Sequence, residues 1–245
     1  MIDTHAHLDA AGAPEEVLAR AREAGVERVV AIGSGLESCR TTLALAEREE
    51  GVYAALGIPP HNAADGEDAD ELRDLFSSTC AVAIGEIGLD YYRDYAPRDA
   101  QRRLFEQQLE LASELGKGVV IHTRAANDDT LRVLDGFDGT VILHCFSEPD
   151  LLAPALERGY YVSFAGNVTY PNAADLRRAA AEVPTGRILA ETDAPHLPPQ
   201  PCRGRTNEPA YVIHTLEALA AARGEDAGEL EQHIEANATA AFALP

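Results

Sequence analysis

Strand-like and helix-like segments alternate eight times along this 245-residue chain, and that alternation constrains the fold more than any other feature. Short apolar runs separated by amphipathic stretches call for a parallel sheet whose strands are joined by crossover helices. After an opening run from Met1 to Asp9, the pattern predicts strands over Val26–Ile32, Val52–Ile58, Ala81–Ile84, Val119–Ile121, Thr140–Leu143, Tyr160–Phe164 and Arg187–Ala190. Helices are predicted over Pro14–Ala24, Leu36–Glu50, Arg98–Leu115, Asn127–Leu134, Pro149–Glu157, Ala173–Glu182 and Glu208–Ala222. A short helix is expected near Asp70–Ser77 and a last helical piece from about Ala227. Punctuation agrees with this: Pro14 suits a first helical turn, and Gly25, Gly51 and Gly116 supply stops. The best-patterned helix is Arg98–Leu115. There Leu104, Gln108, Leu111, Ala112 and Leu115 recur at helical spacing, and Phe105 and Leu109 widen the stripe.

Eight such units at this length fit a closed (β/α)8 barrel of TIM type better than an open doubly wound sheet. No Gly-x-Gly-x-x-Gly follows the first strand, which counts against dinucleotide binding. With no linker, repeat or low-complexity break, residues 1–245 read as a single domain.

In a barrel of this kind the chemistry is expected at the C-terminal ends of the strands. His5 and His7 end the first strand and, one residue apart on extended backbone, point the same way. Glu86 ends strand four, His122 strand five and His144 strand six, and Asp193 follows strand eight. Singly, each is read as a capping carboxylate or a satisfied core histidine. Together they are six metal-capable side chains from five strands on one rim. That number exceeds what one zinc takes, and serves two divalent cations if a carboxylate bridges. Glu86, with two oxygens and a central place in the set, is the expected bridge. Asp193 is expected both to bind metal and to accept a proton from water. With no thiolate in the set, Mg, Mn, Zn and Co are all admissible.

These residues lie in motifs that resemble the TatD family of metal-dependent hydrolases over the whole chain. Asp3-Thr4-His5-Ala6-His7-Leu8-Asp9 resembles the opening motif, and Ala83-Ile84-Gly85-Glu86-Ile87-Gly88-Leu89-Asp90-Tyr91-Tyr92 the central signature. Val120-Ile121-His122-Thr123-Arg124-Ala125, Leu143-His144-Cys145-Phe146-Ser147 and Glu191-Thr192-Asp193-Ala194-Pro195 resemble the next three. Arg203-Gly204-Arg205-Thr206-Asn207-Glu208-Pro209 is similar to the segment that follows them. The resemblance implies a two-metal site, with His5, His7, Glu86 and Asp193 on one ion and Glu86, His122 and His144 on the other. It also implies deoxyribonuclease activity of the 3′ to 5′ exonuclease kind. One departure stands out: the usual Gly-x-His-Pro-His is here Gly57-Ile58-Pro59-Pro60-His61. The second histidine is kept, and His61 is assigned either to a substrate phosphate or to a rim without substrate contact. Arg124, Arg203 and Arg205 are further phosphate candidates. Asp90 is expected to orient a ligating histidine. Cys145 is read as packing, and His196, His214 and His233 as having no part in the site.

Charge narrows the substrate. Forty-one acidic residues face twenty basic ones, a formal net charge of -21, and Lys117 is the only lysine. The acid is spread along the chain, a composition we read as adaptation to a salt-rich cytoplasm. No basic stripe or aromatic ladder is visible in the sequence, so DNA ends or a small phosphodiester are expected rather than a long grip on DNA. Amide or lactone hydrolysis on the same binuclear barrel is the alternative, and a metal-binding barrel without turnover a second one. The carboxylated-lysine subclass is excluded, because Lys117 lies about 16 Å before His122 along a strand. Four sparse cysteines suggest no disulfide framework. No stretch reads as a membrane span or signal peptide, which leads us to expect a cytoplasmic protein with no obligate protein partner.

Overall fold

A computed structural model describes residues 1–93 and 95–245. The strands are β1 (Ile2–Ala6), β2 (Arg28–Ser34), β3 (Val52–Gly57), β4 (Ala81–Asp90), β5 (Gly118–Arg124), β6 (Val141–Leu143), β7 (Tyr161–Phe164) and β8 (Ile188–Ala190). The α-helices are α1 (Pro14–Glu23), α2 (Leu36–Arg48), α3 (Arg98–Leu115), α4 (Asn127–Val133), α5 (Leu152–Glu157), α6 (Ala174–Glu182), α7 (Val212–Arg223) and α8 (Ala227–Ala241). Strand order follows chain order from β1 to β8. This is the (β/α)8 class that the alternation predicts. Among the described residues no helix is long and apolar enough to cross a membrane.

Two compact units make up the chain: Met1–Ala31 with His144–Pro245, and Ile32–Leu143. In the first, β1 pairs in parallel with β2 from Ile2↔Arg28 to Ala6↔Ala31, and β7 with β8. β8 is bonded back to β1 just beyond its end, since Asp193 N–H donates to His5 O (2.9 Å) and His7 N–H to Ala194 O (2.7 Å). Val17, Leu18 and Ala21 of α1 and Leu230, Ile234 and Ala238 of α8 are buried, as helical spacing of apolar residues requires.

The second unit runs in parallel from β3 through β6. All ten residues of β4 are buried. α3 buries the expected stripe from Leu104 to Ala112, Gln108 included, while Leu115 is half-buried; Gln101 is buried as well, and the two glutamines close backbone ends that the strands leave open. Gln108 accepts from Ile58 N–H (2.7 Å) and donates to Ile58 O (2.9 Å). Gln101 does the same for Asp90, at 2.9 and 3.1 Å.

Several boundaries differ from the sequence expectation. β4 does not stop at Ile84 but runs on to Asp90, so Glu86 lies inside the strand. The short helix expected near Asp70–Ser77 is the 3-10 helix Ala69–Ser77, and 3-10 turns at Pro149–Leu151 and Pro209–Tyr211 precede α5 and α7. In each of the last two the proline sits in the opening turn, where its missing N–H costs nothing.

Candidate metal centre

In the first unit, β1 carries the first histidine of the opening motif and ends one residue before the second. His5 is fully buried and His7 half-buried. Their Nε2 atoms are 3.3 Å apart, and Asp193 Oδ1 lies 3.8 Å from the first and 3.6 Å from the second. Ligand atoms bonded to one ion at about 2.0–2.1 Å stand about 3.3–3.4 Å apart at tetrahedral angles, so the two nitrogens stand at that spacing and the Asp193 oxygen slightly beyond it. Asp193 reaches its position in a left-handed turn (φ 56°), a conformation that aspartate tolerates better than most residues. His144, the residue after β6, stacks on His5 with ring centroids 4.0 Å apart and planes 11° from parallel.

Two buried carboxylates that the sequence reading did not assign hold this half together. Glu191 Oε1 lies 3.3 Å from His144 Nδ1 and accepts from Cys145 N–H at 2.7 Å. Burial pushes the Glu191 carboxyl up, but the hydrogen bond to His144 and the attraction of His5 and His144 outweigh it and hold the group below its usual range. Asp3 Oδ1 accepts from Thr192 N–H (2.9 Å) and His5 N–H (3.2 Å), and Oδ2 from the Thr192 hydroxyl (2.5 Å). Here burial wins over those hydrogen bonds and the Asp3 carboxyl is pushed up to about 8. Asp3 thereby ties the first histidine to the turn that carries Asp193. Both acids stand inside the quoted motifs, which was the available signal; their burial was not visible there. Cys145 is not in a strand, as its packing role assumed, but in a half-buried left-handed position (φ 45°).

In the second unit, Glu86 Oε1 lies 2.7 Å from His122 Nδ1. Asp90 Oδ2 lies 3.2 Å from His122 Nε2 and 3.0 Å from His61 Nε2. One carboxylate therefore fixes the ring whose other nitrogen faces Glu86, the orienting role expected of Asp90. Its second oxygen accepts from the Tyr92 and Arg93 N–H groups at 2.9 and 2.8 Å. Burial pushes Asp90 up, yet the hydrogen bonds from His122, the Arg93 amide and His61 together hold it well below the usual carboxylate range. His61, Asp90 and His122 form a group with ligand atoms within 4.8 Å of one another, as His5, His7 and Asp193 do. Pro59, extended at φ −72° and ψ 162°, leads into the 3-10 turn Pro60–Asn62 that carries His61.

The candidate arginines are placed differently from one another. The Arg124 guanidinium lies 4.0 Å from the centre of the Tyr92 ring. Arg203 stacks on Tyr170 at 4.7 Å and donates to its hydroxyl at 2.9 Å. Arg205 is exposed. Asn207 is buried and donates to Thr192 O (2.8 Å) and His196 O (2.5 Å), which braces the turn around Asp193 from the far side. His196, which the sequence reading left out of the site, has its ring 6.1 Å from that of His7. Its position three residues after Asp193 was the only signal. Lys117 donates to Ala81 O (2.8 Å) at the opposite ends of β4 and β5 from the candidate ligands.

Comparison with known proteins adds to this geometry. The family model described as TatD related DNase matches residues 2–243. The chain is 37% identical over 229 residues to the uncharacterized metal-dependent hydrolase YabD of Bacillus subtilis, covering 90% of each. It is 37% identical over 239 residues to a protein of Cronobacter sakazakii named 3′-5′ ssDNA/RNA exonuclease TatD, covering 93% of this chain and 91% of that one. The crystal structure of YjjV, a TatD homolog from Escherichia coli K12, superposes with a TM-score of 0.93 at 32% identity, covering 100% of this chain and 98% of that chain.

Proposed function

This chain belongs to the TatD family of metal-dependent hydrolases, and on that premise we propose that it is a 3′ to 5′ exonuclease acting on single-stranded DNA ends through two divalent cations. The observation that carries the proposal is the convergence of His5, His7 and Asp193, whose ligand atoms are near enough to one another to hold one ion. By the family resemblance, His5, His7, Glu86 and Asp193 would hold one cation and Glu86, His122 and His144 the other. A divalent ion bound there supplies Lewis acidity toward a phosphoryl oxygen and lowers the pKa of water beside it. Asp193 takes the proton of the attacking water. Glu191 and Asp90 keep His144 and His122 aimed, and His61, Arg124, Arg203 and Arg205 are the groups we assign to the substrate backbone. A related protein named as an ssDNA/RNA exonuclease supports the substrate class.

The experiment is a metal-reconstituted assay of 3′-labelled single-stranded DNA beside an amide and a lactone, in molar KCl. DNA should be shortened from its 3′ end, and Glu86→Gln should lower that rate at least about 100-fold, the scale of losing a group that stabilises transition-state charge. Unchanged cleavage by Glu86→Gln would remove the bridging carboxylate from the mechanism. Turnover of the amide or lactone without DNA cleavage would overturn the nuclease reading. Elemental analysis should find two ions per chain, and one tight site with no second on titration would count against a binuclear centre.

A further inference from the structure

The sequence shows no aromatic ladder, yet two exposed tyrosines follow β4, one of them against the histidine that neighbours His122. Tyr92 and Tyr95 are the most exposed large apolar-bodied side chains among the described residues, at 66% and 62%. Aromatic rings are enriched at recognition surfaces relative to the rest of a protein's surface. They stand in the segment directly after β4, and each is held by charged or aromatic neighbours. The Arg124 guanidinium, from the end of β5, lies against the Tyr92 ring at 4.0 Å. Tyr95 has Arg93 at 5.9 Å from its ring centre and 3.3 Å from its hydroxyl, and its ring meets that of His61 edge-on at 5.3 Å.

The same carboxylate that orients His122 also sets this wall. Asp90 Oδ2 lies within hydrogen-bond distance of His122 and His61, while Oδ1 accepts from the N–H groups of Tyr92 and Arg93. The candidate metal ligand and the first tyrosine are thus fixed to one side chain. We propose that Tyr92 and Tyr95, backed by Arg124 and Arg93, form a stacking wall for the nucleobases at the end of a single strand. An arginine already against one face of Tyr92 makes its open face a better π surface for a base, and guanidinium charge beside each ring meets the phosphates. Two rings suit a few terminal nucleotides and no more. Stacking is indifferent to base identity and to the sugar, so the wall explains how an acidic protein without a basic stripe selects nucleic acid ends.

This inference rests on the nuclease reading, and the test separates the two. The probes are decathymidylate and an abasic decamer with the same backbone, assayed for hydrolysis and, as phosphorothioates, for binding by fluorescence anisotropy. Stacking of one base on an aromatic residue contributes roughly 5- to 150-fold in affinity. Wild-type protein should therefore prefer decathymidylate by at least about tenfold in KM. The double variant Tyr92→Leu with Tyr95→Leu should bring that ratio to about one, and Tyr→Phe at both positions should restore it. Equal KM for the two probes in the wild type, or a ratio that survives in the leucine variant, overturns the wall. If neither probe is hydrolysed the nuclease reading fails, and the wall is judged on binding: base preference lost in the leucine variant sustains it, and no base preference overturns it.

Discussion

Asp3 shows how a single buried acid can shape a site without entering its chemistry. Its carboxyl closes three donors at once, the amides of His5 and Thr192 and the Thr192 hydroxyl. Leaving one buried donor unpaired costs about 1–3 kcal/mol, so the three act as a joint between β1 and the turn after β8. Asp3→Ala should destabilise the metal-free protein by at least about 3 kcal/mol in denaturant unfolding. Asp3→Asn should lose less, because an amide oxygen keeps the acceptor that faces the two N–H groups. The carboxyl is already held toward its neutral form by burial, with its pKa pushed up to about 8, so removing its charge takes little away. A midpoint for Asp3→Ala equal to that of the wild type would show that water replaces these bonds and that the joint is not structural.

At the level of elements, β4 and β5 make the closest contact with consequences for the site. Gly88 pairs with His122 in the parallel register, and its backbone has φ 136°. A Cβ placed there would stand 2.0 Å from the His122 carbonyl oxygen, and one on Gly85 would stand 2.6 Å from Val120 Cβ. Only glycine lets β4 approach closely enough to bring Glu86 and Asp90 onto the two nitrogens of His122. Gly88→Ala should cost about 3 kcal/mol or more and lower Tm by about 6–12 °C. Gly66→Ala is the control: it shares a positive φ of 80° but has nothing within 4 Å of the added methyl, so only backbone strain remains. If the two variants melted together, close approach would not be the reason for Gly88. The same glycines explain why β4 was misjudged from sequence. An apolar run that meets Gly85, Glu86 and Gly88 reads as finished, because strand propensity sees weak formers and an acid but not the neighbouring strand that buries them. Helices such as α1 and α3 were legible because their spacing depends on their own residues alone. The candidate ligands His5, His7 and His122 could be picked out because a barrel is expected to place its chemistry toward the C-terminal ends of its strands. Glu191 and Asp3 were not, since an acid's role depends on which side chains surround it.

For the molecule as a whole, charge is the governing quantity. With a formal net charge of -21, acidic residues outnumber basic ones by about two to one. Ion pairs such as Arg103–Asp99 and Arg178–Asp175 lie on exposed helix faces, where each contributes little. Mutual repulsion of the remaining carboxylates is long-ranged at about 0.01 M salt, where the Debye length is about 30 Å, and nearly gone at 1 M, where it is about 3 Å. Stability should therefore rise with KCl, each kcal/mol of relieved repulsion lifting Tm by about 2–4 °C for a chain of this length. A fall in Tm on adding salt would sink the reading of the composition as adaptation to high salt. The same screening acts on an anionic substrate. A basic DNA-binding protein loses affinity as salt rises, because its binding releases counterions. In this protein the net negative charge would repel an anionic strand before any contact is made, and salt weakens that repulsion. The KM for decathymidylate should consequently fall as KCl is raised from about 0.05 M toward 1 M with divalent metal held constant, the reverse of the usual slope. A KM that climbs with salt would mean that local positive charge, from the bound cations and arginines such as Arg124, outweighs the acidic surface even at a distance.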